Sequence, residues 1–289
     1  MLQLIEKNLD RAEQETLDSL QAQIDAENGF TNQAAKAKQL WKTKGNAQGK
    51  RSFERISILL ESMCVFVKTC NYCEGNEAAD IEHIFPKSFF PIFAFIWRNY
   101  ILACKQCNSG NKLDKCFVLD AEGNVYPTTR GMAPLFYNVA MINPRTDNPN
   151  DFLYLNLQTW KFELQDDLSL TNQNKALKTL EILALNERDY LIEGRKKTFG
   201  ELYDKMDRLN RILNATSIAD IENILAPYHD EIDNLLPINE IKDQIVQSTR
   251  LHLHKQLHPS VWYAVKMIAS KTDPKWQRIF DIIPEALTW

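Results

Sequence analysis

Two Cys-x2-Cys pairs, Cys70-Asn-Tyr-Cys73 and Cys104-Lys-Gln-Cys107, constrain this chain more than any other feature; thirty residues, Glu74 to Ala103, separate them. Two residues between cysteines let both sulfurs of a pair turn toward the same ion, and two such pairs fill the tetrahedral shell of one Zn2+. A shell of four thiolates leaves no open position, so the zinc expected here is structural. The competing readings are four unrelated buried cysteines, or a thioredoxin-type redox pair, which lacks its usual surroundings of alternating strand and helix. Cys64 falls inside an apolar helical pattern and reads as core filler, and Cys116 is a spare with no obvious partner.

The metal reading depends on compartment. Met1–Asp10 has neither the basic start nor the small-residue cleavage site of a signal peptide, and no apolar run is long enough to span a bilayer. A cytoplasmic location with no membrane contact is therefore the default, and in a reducing compartment paired cysteines bind metal more readily than they form disulfides. With 289 residues, 44% of them hydrophobic and 25% charged, the chain has enough apolar material for one or two domains with a sizeable core. A net charge of −4 gives no global argument for contact with phosphate, so any nucleic-acid contact has to come from local patches. One such patch is the stretch 36–55, with Lys36, Lys38, Lys42, Lys44, Lys50, Arg51 and Arg55 against the single acid Glu54; a solvated helix face explains it equally well.

Hydrophobic periodicity predicts an α+β protein that is mainly helical. Leu17, Leu20 and Ile24 mark an N-terminal helical arm, residues 1–52, that carries the basic patch. Phe53, Ile56, Leu59, Leu60, Met63 and Val67 predict a buried-face helix running into the first cysteine pair and opening a core over 53–118. A β-containing insert over 119–170 follows, with strands around Phe117–Leu119 and Val125–Tyr126, and again in 152–157 and 160–164. From 171 to 289 the leucine spacing returns to a helical period, divided by Pro227, Pro237, Pro259, Pro274 and Pro284.

Between and beside the knuckles lies Asp80-Ile-Glu82-His83-Ile-Phe-Pro86-Lys87, then Asn99, Asn108 and Lys112. Cleaving a phosphodiester takes a base that activates water and a hard cation that neutralises charge on the phosphate and departing oxygen. His83 suits the base, because neutral imidazole titrates near the operating pH. Glu82 and the side-chain oxygen of Asn108 are the oxygen ligands that Mg2+ prefers. Taken singly, Asn99 reads equally as a turn former and Asn108 as a helix cap. Phe85, Phe89, Phe90, Phe93, Phe95 and Trp97 read as local core or a docking surface.

At these residues the sequence resembles the HNH, or ββα-metal, nuclease family. The resemblance implies a central zinc-bound ββα core flanked by helical regions, with His83 as base on a short hairpin strand and Asn99 fixing the loop that orients it. It also implies a catalytic divalent ion on Glu82 and Asn108, reached from the helix after the second knuckle, with Asp80 sharing that ion or supporting it from behind. Glu stands before the base where the family usually has Asp, and Asn ends the motif where His is frequent, which points to Mg2+ or Mn2+. Cys70-x-Tyr-Cys-Glu74, Ile81-Glu-His-Ile-Phe-Pro-Lys87, Trp97-x-Asn99 and Cys104-x2-Cys-Asn108-x3-Lys112 look most like the bacterial subfamily of anti-phage systems that includes the Septu nuclease subunit PtuB and retron-associated effectors. That likeness implies a DNA or RNA substrate and a partner ATPase related to ABC or SMC proteins. Lys87, Arg98, Lys105 and Lys112 flank the constellation as expected phosphate contacts.

Two rival functions stand beside the nuclease: a non-catalytic zinc module that recognises nucleic acid or protein, and an assembly subunit whose helical flanks dock the ATPase. His252-x-His254-x3-His258 puts two histidines one helical turn apart, but no Asp, Glu or Cys nearby completes a metal site.

Overall fold

A computed structural model describes residues 1, 3–66, 68–228 and 232–289. It is mainly helical, with three two-stranded antiparallel sheets among the described residues. The chain divides into two compact units, residues 1–154 with 161–191, and residues 155–160 with 192–289.

Three helices open the first unit: α1 (Arg11–Asp25), α2 (Phe30–Thr43) and α3 (Ala47–Glu61). The turn between α2 and α3 is sharp because Lys44 and Gly45 both take positive φ, and Asn46 then caps α3 by accepting from Gly49 N at 2.9 Å. The cap explains why α3 starts at Ala47 and not at Phe53. Phe53, Ile56 and Leu60 form its buried face as the periodicity requires. The helix stops at Glu61, short of the extent read from the sequence, and Met63 and Cys64 lie in the turns beyond it. Val67 lies outside the described residues.

Next come β1 (Ala78–His83) and β2 (Tyr100–Cys104), paired from Ala78 opposite Cys104 to His83 opposite Tyr100, with a bulge between Ala78 and Asp80. Every residue of β2 is buried, which is why Tyr-Ile-Leu-Ala-Cys reads as a continuous apolar run and not as an alternation. Residues 84–99 form a long excursion between the strands, stabilised internally by ring packing among Phe85, Phe90 and Phe93 at 5.2–6.2 Å. Phe89, Phe90, Phe95 and Trp97 are buried, so the aromatic cluster is local core. After β2 the chain winds through a π-type turn, Gln106–Lys112, closed by Leu113 N donating to Asn108 O at 2.6 Å.

The insert contains two hairpins, β3 (Phe117–Leu119) with β4 (Val125–Pro127), and β5 (Leu153–Leu155) with β6 (Phe162–Leu164). Helix α4 (Leu170–Leu183), capped by Ser169, completes the first unit apart from the start of α5 (Asp189–Asn214). The second unit holds most of α5, then α6 (Ile218–Leu225) with a Ser217–Asp220 capping box, α7 (Ile238–His254), α8 (Pro259–Ala264), α9 (Ser270–Thr272) and α10 (Pro274–Ile282). Ile212, Ile221, Leu225 and Ile241 make one core cluster there, and Trp276 is wholly buried among Phe199, Tyr203, Trp262 and Phe280.

Arg145 fastens the insert to the hairpin. It is buried, donates Nε to Tyr100 O at 2.7 Å and Nη2 to Trp97 O at 3.2 Å, grips both oxygens of Glu6 at 2.7 Å, and stacks 4.2 Å over the Trp97 ring. Arg145→Ala strips Tyr100 O of this donor and Trp97 O of one of its two, and leaves Glu6 only the more distant Arg98, so unfolding in urea should show a loss of about 2–4 kcal/mol. Arg145→Lys, which keeps the charge but cannot bridge these groups, should recover less than half of that loss.

Candidate metal centre and adjoining cleft

The first knuckle is shaped by backbone bonds: Glu74 N donates to Cys70 O at 2.9 Å and Cys70 N to Gly75 O at 2.7 Å, with Glu74 and Glu77 at positive φ. Asn71 ties this loop to β2, since Asn71 N donates to Leu102 O at 3.0 Å and Leu102 N to Asn71 Oδ1 at 2.9 Å. The second knuckle leaves the end of β2 directly, and Cys107 N donates to Cys104 Sγ at 3.4 Å. As a result all four sulfurs are buried and lie within 4.8 Å of one another. Cys73 Sγ and Cys104 Sγ are 3.8 Å apart, and a tetrahedron with Zn–S bonds of about 2.3 Å requires sulfurs about 3.8 Å apart. The cluster fits one zinc ion.

The four thiols differ: hydrogen bonds from Cys107, then Cys70 and Cys73, pull the Cys104 thiol well down, whereas burial pushes Cys70 up and the hydrogen bond with Cys104 pushes Cys107 up. Arg188 donates Nη2 to Cys107 Sγ at 3.4 Å, Nε to Ala184 O at 3.1 Å and Nη1 to Tyr190 OH at 3.0 Å. Burial works against the guanidinium charge, but the sulfur beside it more than offsets that, and the charge is held more firmly than usual. Arg188 thus balances part of the negative charge of a four-thiolate shell. Burial instead raises the thiols of Cys64 and Cys116 to about 11, as expected of unreactive filler outside the cluster.

Beside this frame opens a cleft of about 620 Å³. From the sequence-derived constellation it gathers Glu82, His83, Lys87, Asn108 and Lys112, and it adds Lys38, Asp114 and Arg130. Asp80 joins through Asn108, whose Nδ2 donates to Asp80 Oδ2 at 2.9 Å. Arg98 and Lys105 are exposed but not in the lining; Arg98 stands 4.0 Å from Glu6.

His83 ends β1 and is 4% exposed. Its Nε2 lies 2.9 Å from Ala94 O, and a carbonyl only accepts, so Nε2 carries the proton and Nδ1 keeps the lone pair. The ring is clamped by Trp41 at 4.2 Å and Tyr100 at 5.2 Å. Burial first, then the charge of Lys87, holds the imidazole well below its ordinary pKa. Asn99 supports the excursion from inside: its Oδ1 accepts from Phe85 N at 2.7 Å, and its Nδ2 donates to Phe85 O at 3.0 Å and Phe93 O at 2.8 Å. This loop carries Ala94, the acceptor that sets the His83 tautomer.

Lys112 turns inward. It is 1% exposed, ion-paired to Glu82, and its Nζ donates to His83 O at 2.6 Å. Glu82 is therefore already engaged by a cation, whereas Asp80 is bonded to a neutral amide.

Sequence reasoning missed Trp41 and Arg188, and counted Lys44 only as one cation of the basic patch. Lys44 Nζ sits 3.0 Å over the Trp41 ring and 4.2 Å from that of Phe53; burial, then Lys87, lowers its pKa to about 7. A tryptophan inside the basic segment was the available signal, since a solvated arm has no need of one. Within that segment, Lys38 reaches the cleft, while Lys36 and Arg55 pair with Glu27 and Glu13.

The chain is 25% identical over 194 residues to the Septu protein PtuB of Bacillus thuringiensis, a match covering 64% of this chain. It also covers 64% of that relative, so the chain spans less than two thirds of the relative's length. No protein-family model matches the chain, and no solved structure gives a significant match.

Purified protein should carry close to one zinc per chain by elemental analysis. Arg188→Met should release that zinc to a colorimetric chelator ~10-fold faster or more, the usual scale for a lost outer partner of a metal ligand. Equal release rates would remove Arg188 from the site.

Proposed function

We propose that this protein is a metal-dependent endonuclease of the HNH type that hydrolyses phosphodiester bonds in DNA or RNA as the effector of an anti-phage system. The observation that carries the proposal is His83, which lines a cation-rich cleft, is fixed in one tautomer by Ala94, and stands on a hairpin joined to the four-cysteine cluster.

In this reading Nδ1 of His83 accepts the proton of the attacking water. Burial keeps the ring neutral and so competent as a base below its ordinary pKa, while Trp41 and Tyr100 prevent it from rotating. Asn99 holds residues 85–93 so that Ala94 keeps its place behind the imidazole. Lys87 and Lys38 offer positive charge to the phosphates, with Arg130 already held by Asp114. A divalent ion on Asp80 and Asn108, with Glu82 as the third candidate ligand, would neutralise charge on the scissile phosphate and leaving oxygen. Similarity to a Septu protein supports the defence role, and the ATPase partner follows from the same resemblance.

His83→Ala should abolish Mg2+- or Mn2+-supported cleavage across a panel of DNA and RNA substrates while zinc content and the circular dichroism spectrum stay unchanged. Asn99→Ala, which frees the loop without touching the base, should lower kcat ~10–100-fold. Full activity of His83→Ala with either metal would overturn the assignment, and salt-sensitive binding without product in the native protein would favour the non-catalytic zinc module.

A further inference from the structure

Glu82 stands where the resemblance puts a ligand for the catalytic ion, yet its carboxylate is held by Lys112. Both side chains are buried, and the same ammonium donates to the carbonyl of His83, the next residue along β1. Lys112 reaches this position because the turn after the second knuckle winds in π fashion and carries its last side chain back toward β1. Within 30 residues of each other in sequence, Asp80 and Asn108 form a second pair, joined at 2.9 Å, in which no cation takes part.

A carboxylate in a buried ion pair has its charge neutralised, and a divalent ion approaching it meets the repulsion of the ammonium. A carboxylate bonded to a neutral amide keeps its charge. Resting on the nuclease reading of this cleft, we propose that Lys112 is the tethered counter-cation of Glu82, and that the divalent ion centres on Asp80 and Asn108. Glu82 and Lys112 then act as positioning residues: together they fix the end of β1, and with it the backbone of His83.

The test is a titration of zinc-loaded protein with Mn2+ followed by electron paramagnetic resonance, which reads metal binding without requiring cleavage. Asp80→Asn should weaken Mn2+ binding ~10-fold or more, whereas Lys112→Met/Glu82→Gln, which removes the pair and leaves the local charge unchanged, should leave it within ~3-fold of native. Lys112→Met, which releases the Glu82 carboxylate, should tighten binding ~10-fold. Equal losses from the double variant and Asp80→Asn would overturn the proposal, as would unchanged or weaker binding in Lys112→Met, or no Mn2+ binding by the native protein. If Lys112→Met alone does not retain zinc, the comparison of Asp80→Asn with the double variant, in which neither member of the pair is left charged, decides. Absence of cleavage in native protein that still binds Mn2+ in the stated order would sink the nuclease reading and leave this one standing.

Discussion

The convergence of four buried cysteines is the constraint from which the rest of the site follows. A two-stranded hairpin is marginal in water, and β1 and β2 share five register positions. What holds them is their ends. Cys104 closes β2, the first knuckle is bonded back to Leu102 through Asn71, and the second continues from β2 without a break. A structural zinc on such a frame is worth about 10–16 kcal/mol in small zinc domains. Once β2 is fixed, the register places His83 opposite Tyr100, and the excursion 84–99 folds back so that Ala94 meets the imidazole. The metal centre and the cleft are therefore built on one frame.

The parts of this construction that were legible in the sequence were those whose meaning lies in spacing. Cys-x2-Cys states its own geometry, whereas the short hairpin strand under His83 was implied only by the family resemblance. The hairpins around 120–124 and 156–161 and the helical period of the C-terminal region were legible for the same reason. What sequence could not give was the direction of individual charged side chains. A lysine four residues beyond Asn108 reads as a phosphate contact if the turn is an α-helix, but π winding displaces it into the interior. Arg188 lies 81 residues from the sulfur it touches, and no local pattern marks that contact. Helix α3 was misjudged at both ends because capping by Asn46 and termination at Glu61 are decided by hydrogen bonds outside the apolar stripe.

Electrostatics show the same division between composition and placement. The chain is acidic overall, yet the cleft collects Lys38, Lys87, Lys112 and Arg130 against Glu82 and Asp114. Only part of that positive charge is available to a ligand: Lys112 is spent on Glu82 and Arg130 on Asp114, which leaves Lys38 and Lys87 as the cations facing an incoming anion. The basic stretch 36–55 contributes less than its count suggests, because Lys36 and Arg55 are paired and Lys44 lies on the Trp41 ring. Net charge governs long-range attraction, but local pairing decides which groups remain to grip a ligand.

Burial of His83 is the feature with the largest consequence for the proposed chemistry. An imidazole 4% exposed, held by a carbonyl behind it and rings beside it, has lost most of its freedom before any ligand arrives. Burial costs basicity, because desolvation disfavours the charged form the ring would take up on accepting a proton. The compensation is orientation: a base that cannot rotate adds little entropic cost at the moment of reaction. Trp41 comes from α2, far from the knuckles in sequence, so the N-terminal helices help to form the wall around His83. A truncation that removed them would open His83 to water and rotation, and would also strip α3 from β1 and β2, so the wall around the imidazole and the support of the hairpin are lost together.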